Sequence, residues 1–435
     1  MIFSLDVRRA RKGDCLLLHY GTKTKPRLML IDGGPSDVYK PHLEPRIQEI
    51  RKKRKLDDVD SLTVDHMMVS HVDDDHIRGL IDLTGEEIVR QDAHEPLLLN
   101  VLNLWHNSFD AVINHTPDEL TASLTKQFGA AATKGAGLDD AKVTAVEDKS
   151  KEGPEVVRGT LQVLASIEQG FRLRGNAKKL GYGNNSEFGG ALVMATKNNG
   201  AIDLDGSLKV TVVGPMQPEL KKLHEKHQEW LKEMKKKGTP VESALAAYVD
   251  RSVPNLSSIV VLAEADGKRM LLTGDARGDK ILKGLEFTGV VKKDGTLEVD
   301  LLKVPHHGSS NNLDDDFFER VVADHYVFSG NGEHGNPERE SLEMLFKARG
   351  KDPFTVHLTY PIDEIDVERE KDWDKERAKE QAKKKKNPKI KVRPKWSAEK
   401  NSLESFFDDL KLASGQKIKV VDKTKPHVIN LLDAF

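Results

Sequence analysis

The chain has 435 residues, 37% hydrophobic and 32% charged, with a formal net charge of −2. That describes a polar globular protein with chain enough for one elaborated domain or two. Its apolar runs, such as Ile259–Ala263, are strand-length and exclude a membrane span, and its single cysteine, Cys15, excludes an internal disulfide. Met1–Val7 leads into the charged Arg8–Lys12 with no apolar leader core, so the cytoplasm is the expected location.

Taken in order, Ile2–Val7, Cys15–Tyr20 and Leu28–Ile31 predict a three-strand meander, with Gly13-Asp14 as a turn and Asp32-Gly33-Gly34 at its end. Cys15 sits in an apolar run and is expected to be a buried small hydrophobe. Leu43, Ile47 and Ile50 among charges predict an amphipathic helix over Leu43–Lys55.

The densest chemistry follows, in Val64–Leu80. An apolar strand, Met67-Met68-Val69, runs into Ser70, His71, Asp73, Asp74, Asp75 and His76. A run of Asp before a helix also reads as an N-cap. Two histidines flanking three aspartates directly after a buried strand point instead to a metal loop, with neutral imidazoles and ionised carboxylates converging on a borderline cation such as zinc or manganese. A helix starting near His76 would aim its first N–H groups at the same place.

Leu97–Leu104 predicts a strand reaching Trp105, His106 and Asn107, and Asn107 is a candidate substrate contact. Residues 110–190 read as an α-rich insertion able to cover the site, and residues 216–250 as a second, highly charged insertion. Between them Leu208–Gly214 is a strand. Asn255–Glu264 and Arg269–Thr273 form a hairpin about Asp266-Gly267, ending at Asp275. Leu301–Pro305 then leads to His306-His307-Gly308-Ser309, and Tyr326–Ser329 to a loop holding Asn331 and His334. Residues 362–435 are highly charged, with Trp373 and Trp396 as apolar anchors, and read as an appendage to a domain of residues 1–361. Basic clusters lie at Arg51–Lys55, Lys232–Lys237 and Lys383–Lys395.

These motifs, in this order, resemble those of the metallo-β-lactamase superfamily. Ser70–Gly79 resembles its His-x-His-x-Asp-His motif with Asp73 in place of the second histidine, a form similar to that of ComEC-type competence proteins and their soluble relatives. The resemblance implies a four-layer αβ/βα sandwich carrying α-rich insertions and the charged appendage. It implies one or two divalent cations, zinc or manganese, held by His71, Asp73, Asp75, His76, Asp275 and His306 or His307, with Asp275 bridging. Asp32 would support the loop through hydrogen bonds, and Asn255 and Ser258 stand where other members supply a further histidine. Asp75, Asp275 and His334 are the catalytic candidates, and Asn107, Ser309 and Asn331 the substrate-binding ones. The implied activity is phosphodiester hydrolysis by a metal-bound hydroxide, with DNA as the expected partner and no membrane. A small ester, lactone or nucleotide signal is the alternative substrate, and a catalytically silent binding module the alternative of another class. A standalone member would not itself transport DNA.

Overall fold

The computed structural model describes residues 1–107, 169–198, 200–216, 258–422 and 425–435. Most of the first predicted insertion, the second insertion and Asn255 lie outside the described residues.

Two mixed sheets dominate. The first contains β1 (Ile2–Val7), β2 (Leu16–Gly21), β3 (Pro26–Ile31), β4 (Leu62–Met68), β5 (Leu99–Trp105) and β6 (Gly183–Asn184) in that spatial order. The meander β1-β2-β3 is antiparallel, and β3 to β6 run parallel, which requires crossovers. The crossover helices are α1 (Glu44–Lys53) and α2 (Asp74–Asp92). The second sheet orders β7 (Ile202–Leu204), β8 (Leu208–Gly214), β9 (Val260–Ala265), β10 (Lys268–Leu272), β11 (Leu297–Lys303), β12 (Val321–Phe328) and β13 (Thr355–Leu358), with α3 (Gly278–Phe287) and α4 (Arg339–Arg349) as crossovers. The hairpin turn between β9 and β10 places Asp266 and Gly267 at φ 48° and 78°, the left-handed pair that a two-residue turn needs.

Alternation along the strands sorts side chains into three cores. Leu16, Leu18 and Tyr20 of β2 point between the sheets and meet Val210, Val212, Val261 and Met270. Leu17 of the same strand points outward to the layer of α1 and α2, with Ile47, Ile50, Ile77 and Leu80. On the far face Ile281 and Leu285 of α3 and Leu342 and Leu345 of α4 cover the second sheet. The result is a four-layer sandwich, helices outside and two sheets within.

The C-terminal region departs from the expected appendage. After the long helix α5 (Ile362–Lys386) and the short α6 (Leu403–Asp409), β14 (Lys417–Val420) adds to β13 in parallel and β15 (His427–Asn430) adds to β1 antiparallel. Each sheet thus takes an edge strand from beyond residue 361. Sequence patterning missed this because edge strands are held by backbone pairing and carry few apolar side chains. His325 lies within β12 and forms a hydrogen-bonded row with His357 and His427. No helix among the described residues is long and apolar enough to cross a membrane.

Candidate metal centre

The site lies where loops from the two sheets meet. Strand β3 is followed by Asp32, whose φ of 56° turns the chain sharply. Close contact between this turn and α2 depends on Gly79, where an added Cβ would lie 2.0 Å from Gly33 O. That contact seats Asp32 beneath the metal loop, where its carboxylate accepts from Ser70 N at 2.7 Å and Ser70 Oγ at 2.6 Å and pairs with His76 Nδ1 at 2.8 Å. Asp73 stands at the N-cap position of α2, but its side chain makes no capping hydrogen bond. Asp74 turns away and accepts from Gln169 Nε2 at 2.8 Å.

From the second sheet come Asp275, just after β10, and the His306-His307 pair after β11. Both histidines are left-handed, with φ 47° and 55°. For non-glycine residues this costs on the order of 1–3 kcal/mol each, a strain that tends to mark functional sites. Its effect is to set the two rings at 90° to one another, with centroids 6.0 Å apart.

The arrangement centres on Asp275. Its Oδ1 lies 3.3 Å from His76 Nε2 and 3.3 Å from His307 Nε2. Its Oδ2 lies 3.7 Å from His71 Nε2 and 3.7 Å from His306 Nε2, and Asp73 Oδ2 is 3.7 Å from His71 Nε2. Asp75 completes a group with His71 and His76 whose ligand atoms lie within 4.8 Å of one another. The two histidines left as alternatives in the sequence thus face different oxygens of one carboxylate.

These residues fit a bound cation. His71 Nε2, His76 Nε2, His307 Nε2 and Asp275 Oδ1 are buried without a hydrogen-bond partner, a costly state for polar atoms unless something else satisfies them. Ligands at about 2.1 Å from a tetrahedral cation lie about 3.4 Å apart, which the observed separations approach.

Two residues that sequence patterning passed over lie behind the ligands. Asp14, in the β1–β2 turn, is fully buried against Lys303 and Ser329, and its Oδ1 is 3.5 Å from His307 Nδ1. Asp14 belongs to a group with His76, Asp275 and His307, but it meets the Nδ1 side of the histidines, away from the Nε2 atoms that face Asp275. Asp14 therefore orients His307 as Asp32 orients His76, the carboxylate–histidine support common around bound metals. Lys303 Nζ also donates to Gly274 O at 3.2 Å and lies 4.0 Å from Asp275 Oδ1. The Gly13-Asp14 pair was visible in the sequence but read as an ordinary turn.

The electrostatics follow from burial and from these contacts. Burial penalises the charge of Asp275, but His307, His76 and His306 outweigh it and hold the carboxyl well below its usual range. Burial also opposes charge on Asp14, where Lys303 and His307 outweigh it. Burial drives His71 down to about 3, with His76 adding to the effect. His307 goes the other way, to about 9, because Asp275 and Asp14 outweigh its burial.

The substrate-binding candidates fare differently. Asn107 is buried and exchanges two hydrogen bonds with the Val193 backbone, at 2.8 and 2.9 Å, so it ties the chain together and is not available to a substrate. Asn331 is occupied by Glu333 in a local brace. Ser309 is buried at the end of the two-histidine turn, its N–H donating to His306 O at 2.9 Å. Ser258 is buried beside Gly274, with its Oγ unpartnered. His334 does reach the mouth of the site, where its Nε2 lies 3.4 Å from Lys12 Nζ.

No family model matches the chain. Among curated proteins it is similar to microtubule-associated protein 1A, 33% identical over 125 residues in the rat, 33% over 137 in the mouse and 34% over 116 in the human protein. Those matches take in 28%, 31% and 26% of this chain and only 4%, 5% and 4% of the relatives. Among solved structures it is similar to a Parabacteroides distasonis protein described as a candidate metal-dependent hydrolase, at 10% identity and a TM-score of 0.32, covering 81% of this chain and 92% of that one. Such distant likeness assigns no function, and the site geometry has to carry the reading.

Proposed function

We propose that the protein is a metal-dependent hydrolase that cleaves phosphodiester bonds, with DNA as its substrate. The observation that carries the reading is the carboxylate of Asp275, each of whose oxygens faces two imidazole Nε2 atoms, as a bridge between two cations would require. His76, His307 and Asp75 would hold one cation and His71, His306 and Asp73 the other. Their nitrogen and carboxylate donors suit zinc or manganese. When bound, such cations supply Lewis acidity, easing deprotonation of water and offsetting charge on the electrophile.

The chain's own residues do the rest. Asp32 and Asp14 fix the ring orientations of His76 and His307, and Asp275 is buried between them. His334, beside Lys12 and within electrostatic reach of Asp75, would meet a leaving group. The resemblance to ComEC-type domains favours a phosphodiester over a carboxylic ester.

Helix α5 supports a polyanionic substrate. It packs on the His334 loop, where Arg369 Nε donates to Gly335 O at 3.2 Å, and its basic C-terminal end begins with Lys383. Lys383, where the run Lys383–Lys395 starts, lies about 16 Å along the helix from Asp372, and beyond Lys386 the run leaves the helix and returns along it, with Arg393 paired to Glu380. Phosphate contacts of this kind give strong, salt-dependent binding. Trp396, an apolar anchor as expected, packs edge-on against Trp373 at 5.8 Å and under Arg369, and so is not free to stack on a base. A cytoplasmic location accords with the single buried Cys15.

The test is incubation of metal-loaded protein with linear and circular DNA, RNA, bis-p-nitrophenyl phosphate and a lactone panel. Cleavage of DNA and of the small phosphodiester is expected. Turnover of lactones alone would replace the substrate assignment, and turnover of nothing would favour a silent binding module.

A further inference from the structure

Lys12 occupies a position that neither the ligand set nor the fold explains. It lies in the β1–β2 turn between two anchored neighbours. Arg11 is tied to Glu333 by bonds of 2.9 and 3.1 Å, and its backbone N–H donates to Tyr360 Oη at 2.7 Å. Gly13 is packed so tightly on the metal loop that an added Cβ would lie 1.8 Å from Asp75 O. The turn is therefore fixed directly over Asp75.

Its position sets Lys12's surroundings. The Lys12 side chain is half-buried, with its ammonium 3.4 Å from His334 Nε2. Its charge is felt at Asp75, Glu333 and His334. Among the described residues Lys12 makes no ion pair, whereas the adjacent Arg11 is neutralised by Glu333 and Asp37. A cation that makes no direct ion pair, held beside the candidate metal loop by two loops from opposite sheets, is suited to an anion that enters with the substrate.

We infer that Lys12 is the residue that binds an anionic oxygen of the substrate, of the phosphate class, with His334 beside it, and so sets the preference for phosphodiesters over neutral esters. The inference rests on the phosphodiesterase reading above and names the group that makes it selective.

The test compares wild type with Lys12→Met, which keeps the length and removes the charge, and with Lys12→Arg. Inorganic phosphate is titrated into the metal-loaded full chain by calorimetry, metal content is measured in each variant, and KM and kcat are taken on bis-p-nitrophenyl phosphate. Losing one charged hydrogen bond predicts, for Lys12→Met, a phosphate Kd and a KM raised about tenfold. Little change in kcat, unchanged metal content and substantial recovery in Lys12→Arg are expected with it. Phosphate affinity unchanged in Lys12→Met would overturn the inference, as would a loss of affinity accompanied by loss of metal. Should wild type cleave no phosphodiester, the phosphate titration still decides: binding that depends on Lys12 upholds the anion contact while the phosphodiesterase reading fails.

Discussion

Lys303 and Asp14, from opposite sheets, form an ion pair that is completely buried behind the candidate metal ligands. Asp14 belongs to the turn that closes over Asp75, and Lys303 ends the strand that leads to His306 and His307. The pair thus joins the two halves of the site through its charges, and Lys303 Nζ also holds the Gly274 carbonyl next to Asp275.

Removing one partner strands the other charge in a dry interior. Lys303→Met is expected to lower unfolding stability by about 3–5 kcal/mol, the usual cost of breaking a buried pair. The double variant Lys303→Met with Asp14→Asn should regain part of that loss, since no lone charge remains. Denaturant midpoints of Lys303→Met, Asp14→Asn and the double variant check this, and a double-variant loss equal to the sum of the two single losses would show that the pair does not couple.

Two glycines of α2 should respond in opposite directions to alanine. Gly79→Ala drives a methyl into the Gly33 carbonyl at 2.0 Å, which should cost about 1–3 kcal/mol and weaken metal binding by shifting Asp32 from His76. Gly85, in the same helix, has nothing within 4 Å of an added Cβ. Gly85→Ala should stabilise by about 0.5–1 kcal/mol through helix propensity alone. Melting curves and a chelator competition on each variant distinguish the two effects.

Glu187 supplies a pH-dependent element away from the metal ligands. Burial opposes its charge, but His66 Nε2 at 2.9 Å and Trp105 Nε1 at 2.7 Å outweigh burial and hold the carboxyl at about 2, below its ordinary 4.5. Because the folded-state value is the lower one, the stabilisation is complete above about pH 5 and is lost as pH falls from 4.5 through 2. Glu187→Gln should therefore flatten the acid limb of stability in that window and leave the slope near neutrality unchanged. An acid limb identical to wild type would remove Glu187 from the account.

Much of the candidate site was legible in the sequence because the residues that the fold brings together cluster in short motifs at strand ends. His71, Asp73, Asp75 and His76 lie within six positions, and Asp275 and His306-His307 each follow an apolar run. Asp14 and Lys303 escaped because each is a single polar residue in an ordinary setting, one in a Gly-Asp turn and one closing an apolar strand, and only the closing of the sheets pairs them. Asn107 misled for the converse reason. A polar cluster at a strand end looks like a site, but its partner is the Val193 backbone, far along the chain. The fold's four layers were implied by the resemblance of the ordered motifs, whereas β14 and β15 were not, since backbone pairing leaves little trace in side-chain chemistry.

Metal content measured together with turnover tests the bridging role of Asp275 most directly. Elemental analysis and bis-p-nitrophenyl phosphate hydrolysis are compared for wild type and Asp275→Asn, which preserves shape and removes charge. Wild type should carry near two equivalents of divalent metal, and the variant should lose metal and about a hundredfold or more in turnover while remaining folded by circular dichroism. Full metal occupancy with undiminished turnover in Asp275→Asn would contradict the account.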